Sequence, residues 1–150
     1  MTTFDIQEIR DMSGLTIGQI EQAISRGKLP VQDVRNGLAR QFSVVDAFNF
    51  CVIGEMRRLG IDWKRVIGST ALPWPVTDVF EVEAKEIFLL TPMHNNHRTA
   101  SGDAKHWNIE LIRPDEMLGY LTAYKARAGV VLDVSKIAEH IDAFARDAEK

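Results

Sequence analysis

Four residues in one polar stretch, His94, His97, Asp103 and His106, are of the types that hold zinc, and the first two form His-x-x-His. Zinc takes His, Cys, Asp and Glu ligands. This stretch has no cysteine and no second fixed pair, so it reads as free surface histidines. The single cysteine, Cys51, sits in the apolar run FNFCVIGEM. There it reads as a small buried hydrophobe and not a nucleophile. Asp133 follows an apolar run at a strand end, where ligands bind in open α/β sheets. It also stands where the last helix needs a cap, in competition with Ser135. No nucleophile–base pair, glycine-rich phosphate loop or carboxylate pair at interpretable spacing stands in the sequence. The chain is therefore expected not to be an enzyme, and no cofactor or metal is implied. What remains is the chemistry of hydrogen bonds and charge. Arg35 and Arg40 flank Asn36-Gly37 in VQDVRNGLARQF, a tight-hairpin signal because both turn residues tolerate positive φ. Arginines on such a hairpin can meet phosphate oxygens.

The elements around that hairpin decide what it could serve. In DIQEIRDM, residues 5–12, Ile6, Ile9 and Met12 recur every third position and predict a helix of about two turns. Ser13-Gly14 ends it. Thr16 with Gln19 three residues on is a capping box, which starts a second helix. Its inward stripe is Ile17, Ile20 and Ile24 with Ala23, and Gly27 stops it. Two short helices about a glycine turn are a helix-turn-helix candidate. After the hairpin, Ser43 and Asp46 cap a long helix. Val45, Phe48, Val52, Met56 and Leu59 are expected to pack on the helix pair. Phe50 and Ile53 point elsewhere and need cover from the second half or another subunit. Gly60 ends this helix, and Asp62 caps a last short one, DWKRVIG.

This order of parts resembles the DNA-binding domain of the MerR family over residues 4–67. The likeness rests on Ser13-Gly14-Leu15-Thr16 followed by Gly27-Lys28-Leu29-Pro30, on Asn36-Gly37 followed by Arg40-Gln41-Phe42-Ser43, and on Arg57-Arg58-Leu59-Gly60-Ile61. It covers a little under half of the chain. The resemblance implies a winged helix-turn-helix that places its second helix in the DNA major groove. The family usually carries a basic residue where Gly18 stands, and a basic or aromatic cluster around Glu21, Gln22 and Ala23. This second helix has no positive charge before Arg26. The expected DNA contacts are therefore Thr16, Gln19, Gln22, Arg26, Lys28, Arg35 and Arg40. The arginines and lysine would bind phosphate, and the glutamines would read bases, since glutamine can bond adenine at two points.

The remaining sequence sets the frame. The chain has 150 residues, 45% hydrophobic and 26% charged, with a net charge of -3. That balance suits one ordinary domain or two small ones and excludes a uniformly basic coat. Positive charge is local: residues 26–65 hold 8 basic against 4 acidic side chains. One cysteine permits no internal disulfide, and no apolar run approaches a membrane span of about 20 residues. The expected location is the cytoplasm. GSTALPWPVTD divides the chain, giving a winged helix-turn-helix at 1–68, a stiff Pro-Trp-Pro linker at 69–77 and a second domain at 78–150. In the second domain KEIFLLT and HWNIELIR read as strands, with Trp107, Ile109 and Leu111 on one face. Pro114-Asp115 opens a helix with Met117, Leu118, Leu121 and Tyr124 inward. AGVVLDVS is a strand, and KIAEHIDAFARDAEK a helix striped by Ile137, Ile141 and Phe144. The fold class is α+β, with order ββαβα in this half.

Three functions fit this reading. The first is a DNA-binding transcription regulator acting as a homodimer, with the second domain dimerising or recruiting a protein partner. The second is a protein-interaction adaptor, for example phage-related, whose winged helix no longer reads DNA. The third is a regulator with a ligand pocket in the second domain.

Overall fold

The computed structural model describes residues 2–25, 40–63, 66–67, 87–93, 106–123, 126 and 128–150. A short strand, β1 (Thr3–Phe4), leads into helix α1 (Ile6–Ser13). Asp5 and Glu8 cap α1 reciprocally: the Glu8 N–H donates to Asp5 Oδ1 at 2.9 Å and the Asp5 N–H to Glu8 Oε2 at 2.8 Å. Gly14 closes the helix at φ 72°, and its N–H donates to the Arg10 carbonyl. Helix α2 (Ile17–Ser25) follows after three residues, with Ile20 and Ala23 buried. The Ser13 hydroxyl pins the turn, donating to the Ile9 carbonyl at 2.7 Å and accepting from the Leu15 N–H at 3.2 Å.

The chain re-enters as β2 (Phe42–Ser43), antiparallel to β1 with Phe4 opposite Phe42. Helix α3 (Val44–Arg58) starts at once, capped by Ser43 and Asp46 as their types predict. Its packing departs from expectation in three ways. Phe50 and Ile53 find cover in the first half of the sequence, Phe50 edge-on to the Phe42 ring at 5.7 Å and Ile53 in a cleft with Leu15 and Ala23. Phe48 turns towards the later half and meets Phe88 at 6.2 Å between ring centroids. Leu59, assigned to the core from its spacing, is 52% exposed, because the helix has already unwound there. Gly54 lets α3 cross α1 closely, since a Cβ on it would overlap the Ser13 carbonyl oxygen. Gly60 reverses the chain at φ 77°.

The expected short helix DWKRVIG is corrected at its end. Val66–Ile67 form a strand, β3, parallel to the later strand β5 (His106–Ile112). Two adjacent β-branched residues beside an open strand edge gain more from sheet pairing than from one helical turn. Strand β4 (Ile87–Met93) lies antiparallel between β5 and β6 (Val130–Asp133), so the sheet runs β3-β5-β4-β6. Helix α4 (Met117–Ala123), entered through a 3-10 turn at Pro114–Glu116, and helix α5 (Val134–Ala148) complete the described elements. The protein is α+β.

The pleat separates two apolar layers. Phe88, Leu90, Ile109 and Leu132 face the helices and share one cluster with Ile9, Ile20, Val52 and Ile141; Trp107 and Leu111 pack on it as their alternation predicts. Ile87, Leu89 and Ile112 face the other way, under Met117, Tyr120 and Leu121 of α4. Leu118, expected inward, is 73% exposed, because the contact face of α4 passes through 117, 120 and 121. The apolar cluster thus spans both halves of the sequence. The Pro-Trp-Pro segment at 69–77, most of the hairpin at 31–42, Tyr124, and the histidine loop with His94, His97 and Asp103 lie outside the described residues. At the start of α5 the competition for the cap resolves to Asp133, whose Oδ1 accepts from the Lys136 N–H at 3.1 Å and from the Ser135 hydroxyl at 2.8 Å. Those bonds, the Ser135 one first, hold its carboxyl below the usual range.

Candidate nucleic-acid interface

The capping box fixes the first turn of α2. The Gln19 N–H donates to Thr16 Oγ1 at 3.2 Å, and the Thr16 N–H donates to Gln19 Oε1 at 2.9 Å. Ile20 and Ala23 anchor one side of the helix. At 100° per residue the opposite ridge carries Gly18, Glu21, Gln22 and Ser25, all exposed. The ridge is polar and holds one negative charge. A Cβ on Gly18 would come no nearer than 3.9 Å to the Thr16 hydroxyl oxygen, so nothing in the fold requires glycine there.

The two predicted glutamines differ in freedom. Gln22 is exposed and its side chain makes no hydrogen bond among the described residues, whereas the Gln19 amide oxygen accepts at the cap. Two-point recognition of adenine needs that oxygen as acceptor and the amide nitrogen as donor. The cap leaves that oxygen one lone pair but ties it back towards the Thr16 N–H, so Gln19 is less free to turn both groups outward. Gln22 is thus the freer of the two glutamines, and Thr16 and Gln19 brace the helix.

Both flanks of α2 carry an arginine. On one side a cleft of about 470 Å³ is lined by Gln19, Gln22, Ile53, Arg57, Ile61 and Trp63. Its lining is largely apolar, with two amides, the exposed Arg57 and the exposed carboxylate of Asp62 as its polar groups; Arg57 has no ion pair among the described residues. Its neighbour Arg58 pairs with Glu55 at 3.4 Å. On the other side Arg40 lines a second cleft with Asp5, Ile6, Glu21, Ile24 and Ser25. It too has no ion pair among the described residues. The structure therefore gathers Thr16, Gln19, Gln22 and Arg40 around one helix. Arg26, Lys28 and Arg35 fall outside the described residues.

Arg57 and Trp63 were not among the predicted contacts. Their signal was present: Arg57 lies four residues after Ile53, on the same face of α3, and Ile53 faces α2. The reading placed Ile53 away from the helix pair and so lost Arg57 with it. No protein-family model matches this chain, and no curated protein matches it.

Proposed function

We propose that this chain is a DNA-binding transcription regulator, a binding protein and not a catalyst, that works in the cytoplasm as a homodimer. In this reading residues 1–68 form a winged helix-turn-helix of the MerR type and residues 78–150 a ββαβα unit that joins a second copy or a protein partner. The observation that carries it is the presentation of α2: a braced helix, its polar ridge open to solvent, with an arginine on each flank. A helix so placed can enter a major groove while the flanking guanidinium groups meet the two phosphate walls. Gln22 reads bases, Arg57 and Arg40 bind phosphate, and Arg26, Lys28 and Arg35 add charge from the turn and wing.

The test is the salt dependence of DNA affinity in the single variants Arg57→Ala and Arg40→Ala. Each phosphate contact removed should flatten the slope of log affinity against log salt by about 1 and weaken binding alike on all sequences. Gln22→Ala should instead relax sequence preference and leave the slope alone. Unchanged slopes in both arginine variants contradict this placement of DNA.

One observation favours the adaptor reading. Glu21 stands exposed on the α2 ridge, where it repels phosphate. Glu21→Gln separates the two: DNA affinity rises if the ridge faces phosphate, and is unmoved if the ridge serves a protein.

A further inference from the structure

We propose that β6 is the seam of the homodimer, pairing antiparallel with β6 of a second copy across a two-fold axis. The inference supplies a surface for the dimer of the preceding section and does not depend on what that dimer binds. Among the described residues β6 has one hydrogen-bonded neighbour, β4, and ends the sheet. A strand edge presents unpaired N–H and C=O groups that template a further strand. Monomeric proteins blunt such edges with lysine, proline, a bulge or a cover. The strand reads VVLD, without lysine or proline, and Val131 is 47% exposed.

A cleft of about 690 Å³ opens along this strand and is lined by Val131, Leu132 and Asp133 in succession. Consecutive strand residues point to opposite faces. A cleft touching all three reaches the edge of the strand, and Met12, Cys51 and Ile137 line it from the helical layer. Leu59 lines the same cleft from the end of α3. So two of the three large hydrophobic side chains most exposed among the described residues, Leu59 and Val131, meet at this one place.

The charges point to a second copy as the occupant. The α3 wall of the cleft carries Glu55 and Arg58, and the β6–α5 wall carries Asp133 and Lys136. Each of these walls has an acid and a base; His140 on α5 lies against the Met12 carbonyl, and Asp11 on α1 is paired with Arg10. A second β6 lying in the cleft brings its own Asp133 and Lys136 towards Arg58 and Glu55, an acid to a base in both cases. The present pairings, Arg58 with Glu55 at 3.4 Å and Lys136 with Glu139 at 3.1 Å, involve side chains well exposed to water, so exchanging them costs little. A two-fold axis requires a self-complementary surface. An antiparallel strand paired with its own copy meets that requirement and joins the two four-stranded sheets into one.

Sedimentation equilibrium of the full chain without DNA tests this. The wild type should sediment as a dimer, with dissociation setting in on dilution. Val131→Lys, at a half-exposed site, should weaken the dimer by about tenfold or more and leave the far-UV circular dichroism unchanged. Leu118→Lys, on the exposed side of α4, should leave the dimer intact. A wild type that stays monomeric up to about 100 µM overturns the proposal, as does a Val131→Lys dimer as tight as the wild type, or a dimer lost through Leu118→Lys instead. Because DNA is absent, a monomer here speaks against this seam and not against DNA recognition.

Discussion

At Gly18 the resembled family carries a basic residue, and here the position is open, with room for a side chain. Gly18→Lys should add one phosphate contact, steepening the salt slope by about 1 and tightening DNA binding at low salt. Replacing glycine inside a helix gains about 0.5–1 kcal/mol. A cation near a helix N-terminus loses about 0.3–1 kcal/mol. Folding stability should therefore stay nearly constant, and titration in guanidinium checks that the affinity gain is not a stability gain. Cys51 gives a second prediction at this scale. Burial, with a smaller part from the Glu55 charge, pushes its thiol from 9.0 up to about 12. The thiolate is the reactive form, so a maleimide should label the folded chain far more slowly than the unfolded one at pH 8. The linkage runs one way. Below pH 9 the thiol is protonated in both states and the folded chain holds its full stability. Between pH 9 and about 12 only the unfolded thiol ionises, so stability falls as pH rises through that window. Cys51→Ala should flatten this part of the stability–pH curve.

Elements whose signal is local were legible in the sequence. Thr16 with Gln19 and Ser43 with Asp46 cap α2 and α3 as their types announced, and Gly14 and Gly60 take the left-handed turns that follow α1 and α3. The alternation of Trp107, Ile109 and Leu111 gave the correct face of β5. What failed depended on distant partners. Val66 and Ile67 read as helix because the strand they join, β5, begins at His106. Leu118 and Leu59 read as core because periodicity gives a stripe but not where the contact face or the helix ends. At the site, Gln22 and Arg40 were legible as polar residues beside a helix-turn-helix. The commitment of the Gln19 oxygen follows from the same local capping box, whereas the approach of Arg57 to α2 needed the placement of α3, which shares a cleft with it. The brace of α2 can be tested by Thr16→Ala. It should cost about 1 kcal/mol, seen as faster amide exchange in the first turn of α2. If the fixed helix is what meets DNA, affinity should fall although Thr16 need not touch a base.

Over the whole molecule, one apolar cluster joins the helix pair, α3, the sheet and α5. A further polar tie crosses between the halves, a ring nitrogen of His140 lying 3.2 Å from the Met12 carbonyl oxygen near the end of α1. A core shared in this way predicts one cooperative unfolding transition. Phe88→Ala removes a fully buried ring against Phe48 and should cost about 3–5 kcal/mol. Circular dichroism at 222 nm and tryptophan fluorescence should still give coincident curves, shifted together. The most direct measurement of the central claim is selection of DNA fragments by the full chain from a random double-stranded pool, followed by sequencing. An enriched site of two inverted halves is expected, centred about 10 base pairs, or a multiple of that, apart, with enrichment lost when Gln22 and Arg57 are both replaced by alanine. Recovery of fragments with no shared sequence at low salt, or the same enrichment from the double variant, would contradict it.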